Sequence, residues 1–177
     1  MKSLVLAGIL TLLAQVPTYT PIDSGSTVKF KIKNLGVTIT GSFTGLQGKA
    51  QFDPSNVTAS VFDVSIDANS INTGIDMRDD HLRAEEYFDV KNHPRIKFVS
   101  TKVEAGRKSG TYNVTGQLSI KGVSKEVSFP FTATSQNGGY LFKGEFKINR
   151  RDFKVGGSSF TMADNLTVEL NVFASKG

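Results

Sequence analysis

The sequence contains no cysteine and no tryptophan, and only two of its 177 residues are histidines. Without cysteine the chain forms no disulfide bond, has no thiolate nucleophile and cannot bind zinc through sulfur. Charged residues make up 21% of the chain and hydrophobic residues 38%. This balance excludes a disordered chain and a polytopic membrane protein, and the length suits one domain with a sizeable core.

A strong charge of either sign is also missing, because the net charge is only +5 and is spread along the chain. No basic patch with interleaved aromatic residues is present, so nucleic acid is not an expected partner. The mild positive charge is compatible with transient contact with an anionic membrane surface, or simply with solubility. The pattern leaves the oligomeric state open.

Long hydrophobic runs are absent except at the start of the chain. Lys2 precedes an apolar run over residues 4–13, and the small residue Ala14 follows. The run is shorter than the roughly 20 apolar residues that a membrane-spanning helix needs. We therefore predict a signal peptide over residues 1–14, and a single mature domain over residues 15–177 in a bacterial periplasm or outside the cell. An uncleaved anchor is the alternative.

From Thr27 onward, apolar and polar residues alternate along most of the chain. Val28, Phe30 and Ile32 share one face of the first segment, and three lysines share the other. A period of two predicts half-buried β-strands. Further apolar faces comprise Val37, Ile39, Gly41 and Phe43; Leu46, Gly48, Ala50 and Phe52; Phe62, Val64, Ile66 and Ala68; Ile96 and Phe98; Tyr112, Val114, Gly116, Leu118 and Ile120; Val127, Phe129, Phe131 and Ala133; Tyr140, Phe142, Gly144, Phe146 and Ile148; and Leu166, Val168, Leu170, Val172 and Ala174.

These segments predict an all-β fold, a closed antiparallel barrel of about eight strands with one short helical insert. Closure favours the barrel because it removes exposed strand edges, and a two-sheet sandwich is the alternative. Short connections favour a meander. Gly36 either bends one strand or separates two, and Gly45 is expected to reverse the chain.

The inward face of such a barrel is either packed solid or able to hold one small ligand. Small residues on the apolar face, Gly41 and Gly116 among them, could open a tube, so that Gly116→Leu would block it without unfolding the chain. Alternatively, the glycines let the sheet coil or are filled by neighbouring phenylalanines. The alternation predicts these cavity-wall residues: Phe30, Ile32, Ile39, Phe43, Phe62, Val64, Ile66, Leu118, Ile120, Phe129, Phe131, Phe142, Phe146 and Ile148.

One segment, residues 76–90, breaks the alternation and has helical character. Asp76 is positioned to cap this helix, with Asp79 close to the third helical position. His81 and Glu85 lie one helical turn apart, which is the one spacing in the chain typical of metal ligands. A metal-assisted hydrolase that uses His81, Glu85 and Asp79 is therefore one hypothesis. The other is that His81 forms a hydrogen bond where the insert docks on the barrel.

No catalytic motif accompanies these residues. The sequence contains no G-x-S-x-G elbow, no H-E-x-x-H zinc motif and no dinucleotide-binding glycine pattern. We therefore expect a protein that is not an enzyme and carries neither cofactor nor metal.

An ordered set of motifs runs from about Tyr19 to Ala174. Its positions are Ile22, Asp23, Ser26, Val28, Phe30, Ile32, Leu35, Gly36, Gly41, Phe43, Gly48, Phe52 and Asp53; Ser70, Ile71, Thr73, Arg78, Asp79, His81, Leu82, Arg83, Phe88, Asp89, Pro94, Ile96, Phe98, Ser100 and Thr101; Gly116, Leu118, Ile120, Gly122, Val123 and Lys125; and Arg150, Asp152 and Phe153. This set resembles the pattern of the YceI-like family, the lipocalin-like polyisoprenoid-binding proteins of bacterial periplasms. Tyr87, Lys121 and Lys154 depart from the family pattern, which affects the expected chemistry of the barrel mouth.

The resemblance implies a lipocalin-like barrel whose apolar tube binds an isoprenoid chain, such as a quinone tail or a prenyl phosphate. The expected function is an exported carrier or sequestering protein for this lipid. A ligand-free stress or interaction module is the alternative. The candidates for binding a polar head group at the mouth are Arg78, His81, Arg83 and Arg150. Alternatively, these four residues form a buried polar cluster that ties the insert to the strands.

Overall fold

The structure is a computed structural model that describes residues 15–176. The predicted signal peptide, 1–14, lies outside this range. The helical segments among the described residues are α1 (Asp76–Arg83) and three short 3-10 helices, Val57–Ala59, Ala68–Ser70 and Arg150–Phe153. The strands are β1 (Thr18–Pro21), β2 (Thr27–Asn34), β3 (Val37–Phe43), β4 (Gln47–Gln51), β5 (Val61–Asp67), β6 (Arg95–Ala105), β7 (Thr111–Ile120), β8 (Val123–Gln136), β9 (Gly139–Asn149) and β10 (Met162–Lys176).

The strands form one closed antiparallel barrel. Neighbouring strands follow the order β1-β4-β5-β6-β7-β8-β9-β10-β2-β3, and β10 also pairs with β1. Because β1 with β2 and β3 with β4 are each one interrupted strand, the barrel has eight strands in a meander. The predicted all-β barrel with a helical insert is confirmed.

The structure confirms one of the two alternatives for Gly36 and contradicts the prediction for Gly45. Leu35 and Gly36 form a tight two-residue turn that separates β2 from β3. The expected reversal at Gly45 is wrong, because β3 and β4 run in the same direction and pair with β2 and β1 respectively. Gly45 has a φ of 74°, and this left-handed conformation produces a corner here. The sequence alone does not distinguish a corner from a reversal.

Strand alternation gives the barrel two distinct ends. The connections 35–36, 68–94, 121–122 and 150–161 lie at one end, which we call the insert end. The connections 52–60, 106–110 and 137–138 lie at the other, which we call the aromatic end. Antiparallel neighbours require this separation, since successive connections fall at opposite ends.

A cluster of aromatic rings fills the aromatic end. Phe52 has no exposed surface, and its ring centroid lies within 6.4 Å of five other aromatic rings. Burial raises the pKa of the Tyr19 and Tyr112 phenols above their usual value. We call this cluster the aromatic plug, and it comprises Tyr19, Phe52, Phe62, Tyr112, Phe131, Tyr140 and Phe142.

The insert packs over the other end, beside the free edge of β3. Within the described chain, β3 pairs with β2 on one side and makes a single bridge, Ser42 to Asn72, on the other. Ile71 of the insert is fully buried, and the ring of Phe88 lies 5.6 Å from that of Phe43 in an edge-on contact. The insert therefore closes the space where β3 lacks a second partner strand.

Helix α1 begins differently from the prediction. Its N-cap is Ile75, which offers no side-chain oxygen, so the predicted cap at Asp76 is wrong. Asp79 is buried instead, and its Oδ1 accepts hydrogen bonds from the backbone N–H and the hydroxyl of Thr73. The carboxylate thus fixes the chain that leads into the helix. No helix among residues 15–176 is long and apolar enough to cross a membrane.

Candidate functional site

The barrel encloses an apolar cavity of about 280 Å³ between the aromatic plug and the insert. This volume is close to the lower end of the range for small-molecule pockets, about 300–1,000 Å³. Every residue predicted to form the cavity wall lines the cavity. It stays a prediction that a ligand contacts these residues. These residues are Phe30, Ile32, Ile39, Phe43, Phe62, Val64, Ile66, Leu118, Ile120, Phe129, Phe131, Phe142, Phe146 and Ile148.

The burial pattern indicates that the middle of the barrel is hollow. Phe30, Ile32 and Val64 line the interior, yet they are half-buried because their side chains face open space. In contrast, Val103, whose side chain belongs to the cluster around the plug, is only 1% exposed. The interior is therefore packed at the aromatic end and open in the middle.

Two glycines on the inward face, Gly41 and Gly116, do not create this space. A Cβ at Gly41 would collide with the ring of Phe30. At Gly116 it would approach Phe98 Cζ within 2.7 Å and collide with the carbonyl oxygen of Val99. Gly41 and Gly116 instead accommodate phenylalanine rings, as one of the two interpretations of the sequence predicted. That Gly116→Leu blocks the tube without unfolding the chain stays a prediction, and the contact with Val99 indicates that the substitution strains the strand.

Several lining residues were not in the predicted set. The alternation along β10 could have identified Leu166, Val168, Leu170 and Val172, which line the cavity on the same face as Ala174. The insert and the segment after β9 contribute lining residues that no strand pattern indicates, namely Leu82, Tyr87, Phe88, Phe153 and Val155.

Polar residues line the cavity at the insert end. Asn34 continues the inward face of β2 after Phe30 and Ile32. It is a polar residue at a position where the alternation expects an apolar one, so the sequence pattern could have identified it. Its Oδ1 is buried and has no hydrogen-bond partner among the described residues. An unpaired buried acceptor costs about 1–3 kcal/mol. Asn34 therefore presents an acceptor that a ligand hydroxyl or amide could satisfy.

Arg78, a predicted head-group residue, also lines the cavity. Its Nε donates to the hydroxyl of Thr73 at 2.7 Å and its Nη2 donates to the Thr73 carbonyl at 2.9 Å. Its Nη1 makes no hydrogen bond with the described chain. The guanidinium is thus held in place and keeps free donors, while Asp79 holds Thr73 from the other side.

Arg150 lines the cavity as well, but its donors are occupied. The side chain is 3% exposed and donates to the carbonyls of Ala163 and Val155 at 3.0 and 2.9 Å. Its Nη2 also contacts Asp164 Oδ1 at 2.7 Å. These bonds hold the segment after β9 against the start of β10, so Arg150 has the geometry of a structural residue.

The other two predicted mouth residues lie outside the cavity lining. His81 is exposed, and its imidazole makes no hydrogen bond with residues 15–176. Arg83 donates to the carbonyls of Asn69 and Ile71, which ties the end of α1 to the preceding 3-10 helix. Within the described part of the chain, no three potential metal ligands of the Asp, Glu, His and Cys types lie close together. The Asp79 carboxylate accepts its hydrogen bonds from Thr73.

Comparison with known proteins identifies the family. Residues 19–174 match the YceI-like domain. The chain belongs to the YceI-like family. Its relatives include a UPF0312 protein of Pectobacterium atrosepticum, 35% identical over 135 residues, with 72% of this chain and 69% of the relative covered. A UPF0312 protein of Yersinia enterocolitica has the same identity and coverage.

Solved structures share the fold over nearly the whole chain. BcnA of Burkholderia cenocepacia superposes with a TM-score of 0.81 at 28% identity, covering 86% of this chain and 98% of BcnA. A YceI protein of Campylobacter jejuni gives 0.71 at 26% identity, with both chains fully covered. A polyisoprenoid-binding domain of Saccharophagus degradans gives 0.74 at 17% identity, covering 93% of this chain and all of that domain, which is a likeness of fold.

Proposed function

We propose that this protein is an exported, non-enzymatic carrier or sequestering protein that holds an isoprenoid chain in its barrel. The observation that carries the proposal is the apolar cavity between the aromatic plug and the insert. Membership in the YceI-like family and the fold shared with a polyisoprenoid-binding domain support the same ligand class. The apolar run over residues 4–13 supports export.

The lining chemistry favours a long apolar tail over a compact polar molecule. Each buried methylene contributes about 0.8 kcal/mol, so eight methylenes give roughly 6 kcal/mol. Association costs are of similar size, about 4–15 kcal/mol. A short acid or alcohol would therefore bind weakly, and tight binding requires a tail that extends through the cavity towards Phe52.

The polar residues at the insert end favour one orientation of this lipid. Within the part of the chain that the structure describes, Arg78 retains N–H donors without an acceptor and Asn34 Oδ1 accepts no hydrogen bond. A head group with a carbonyl or phosphate oxygen and a hydroxyl would satisfy both residues. We assign Arg78 and Asn34 as the head-group residues, with Arg150 holding the loop beside them. The tail then points towards the aromatic plug.

The test is native mass spectrometry of the full-length chain, expressed in a bacterial host and purified from its periplasm. We expect a bound lipid, and extraction should release an isoprenoid compound. Recovery of the protein from the cytoplasm alone, or a protein without lipid that also shows no thermal shift with quinones or prenyl alcohols, would contradict the proposal.

A pair of neighbouring substitutions on β9 tests whether the lipid lies in the cavity. Ile148→Trp should fill part of the cavity and reduce bound lipid, because Ile148 lines it. Lys147→Trp adds the same ring to the exposed face of the same strand and is the matched control. Equal lipid content in both variants would place the lipid elsewhere.

A further inference from the structure

Large apolar side chains are unusually exposed at the insert end of the barrel. Leu35 is 76% exposed, Val37 62% and Phe160 fully exposed. Ile75 and Met77 are exposed at the same end, whereas only Val61, at 42%, is comparably exposed at the aromatic end within the described chain. Scattered single apolar residues need no explanation, but a concentration at one end of a barrel indicates an interaction site.

Two connections, 35–36 and 150–161, lie next to each other at this end. Leu35 donates its backbone N–H to the carbonyl of Thr161 at 2.8 Å. Asn34, which precedes Leu35, pairs with Met162, and both residues line the cavity. We call Leu35, Val37 and Phe160 the apolar rim. The rim therefore borders the cavity at the end that carries its polar residues.

The backbone at Leu35 is unfavourable for the residue that occupies it. Leu35 has a φ of 50° at the first position of a two-residue turn, followed by Gly36 at 78°. Such turns favour Asn followed by Gly, because a leucine Cβ is strained in the left-handed region. The equivalent turn at the aromatic end has Asn137 and Gly138. Leucine at the rim thus strains the turn and, at 76% exposure, gains little packing within the chain.

We propose that the apolar rim docks this barrel, insert end first, onto the surface of an anionic phospholipid bilayer. The charges near the rim are complementary to such a surface. Exposed Lys33 precedes the hairpin tip, and Arg151 and Lys154 are exposed in the connection that carries Phe160. The exposed acids here are Asp152 within this connection and Glu86 beside it, so the cations remain in excess. Cations beside inserted apolar side chains strengthen binding to anionic head groups.

The charges of helix α1 define which side of the insert end faces the bilayer. Ile75 and Met77 are accompanied by exposed Asp76 and Asp80, which an anionic surface would repel. We therefore exclude the helix from the docking surface. Docking by the rim would place the insert end of the cavity at the bilayer, where an apolar tail could pass between them. This use of docking rests on the proposed function, whereas docking itself needs no bound lipid.

Vesicle flotation measures the docking directly. The full-length protein should float with vesicles of phosphatidylcholine and phosphatidylglycerol. The double variant with Leu35→Asn and Phe160→Ser should lose about tenfold or more of its binding, because both apolar contacts are removed. Val61→Ser, at the aromatic end, is the matched control and should bind as the original chain does. Binding that is unchanged in the double variant would overturn the proposal.

The absence of tryptophan from the chain provides a second readout. A single tryptophan introduced as Phe160→Trp should shift its emission to the blue when the same vesicles are added, because the indole leaves water. Val61→Trp should show no shift. Equal shifts at the two positions, or none at either, would overturn the docking geometry.

These experiments also distinguish bilayer docking from dimerisation, and docking from the proposed lipid binding. A dimer in sedimentation that depends on Leu35 and Phe160, without vesicle binding, would overturn the proposal in favour of a second copy of this chain. Vesicle binding that persists in a protein whose cavity holds no lipid by mass spectrometry would support docking while contradicting the proposed function.

Discussion

The two ends of this barrel differ in packing and in the groups that they present. At the aromatic end, the seven rings of the aromatic plug pack together, and Phe52 among them has no exposed surface. At the insert end, the lining contains an acceptor on Asn34 and N–H donors on Arg78 that have no partner among residues 15–176, and the rim exposes apolar side chains. Packing therefore closes one end and leaves the other chemically available. The difference indicates that stability is concentrated at one end and recognition at the other.

The largest expected difference between the packed end and the hollow middle is in the stability lost when one aromatic ring is removed from each region. Phe52→Ala should lower the free energy of unfolding by about 3–5 kcal/mol, because it leaves a cavity inside a packed cluster. Phe30→Ala, on the cavity wall, should cost about half as much, since part of its ring already faces open space. Urea denaturation measures both values. Equal losses would contradict the description of a packed end and a hollow middle.

Substitution of the two arginines that line the cavity should likewise have different effects, one mainly on stability and the other mainly on lipid binding. Arg150→Met should cost about 2–3 kcal/mol of stability, because it leaves the carbonyls of Val155 and Ala163 without donors. The pair with Asp164 adds little to this figure because the Asp164 side chain is 41% exposed and solvent screens its charge. Arg78→Met should cost about 1 kcal/mol or less in unfolding, yet reduce retention of a lipid with an anionic head group.

Thermal denaturation and lipid extraction, performed on both arginine variants, provide the measurement. If Arg78→Met retained lipid as the original chain does while Arg150→Met lost it with little change in stability, the roles assigned to the two residues would be reversed.

The turns at Leu35 and Asn137 also allow the two ends to be compared, because each residue can be replaced by the one found at the other turn. Leu35→Asn should stabilise the chain by about 0.5–1 kcal/mol, because asparagine tolerates the left-handed backbone better than leucine. Asn137→Leu should destabilise it by about 1 kcal/mol for the same reason. Chemical denaturation of the two variants checks the signs. A loss of stability in Leu35→Asn would show that Leu35 contributes to packing after all.

The smallest expected effect concerns the buried phenols of the plug. Burial raises the pKa of Tyr19 and Tyr112 in the folded protein above the ordinary value of 10.0. Their contribution to stability is therefore complete below pH 10.0 and is lost as the pH rises through the folded-state pKa. Tyr112→Phe should reduce the decline in stability above that pH. If the stability of this variant declined at alkaline pH as much as that of the original chain, Tyr112 would not be a cause of the decline.

Much of the fold follows from the sequence, because a period of two assigns each side chain to one face of a strand. This is why Phe30, Val64 and Phe146 could be placed on the cavity wall before their strands were ordered in space. The same rule could have identified Asn34, the polar residue on an otherwise apolar face.

Features that depend on contacts between distant segments could not be predicted in this way. The ring of Phe30 fills the space at Gly41, and Thr73 holds both Arg78 and Asp79. The alternation likewise assigns Phe52 an inward position without revealing that five rings surround it. Such arrangements depend on which strands and loops meet, which local patterns do not encode.

Titration of the lipid-free protein with prenyl alcohols of increasing length tests most directly whether the cavity holds an isoprenoid tail. We expect affinity to rise by about tenfold or more with each added isoprene unit while the tail remains inside the barrel. Affinity should then level off once the tail reaches the aromatic plug around Phe52. Affinity that is independent of tail length, or unchanged by Ile148→Trp, would contradict the assignment of this cavity as the binding site.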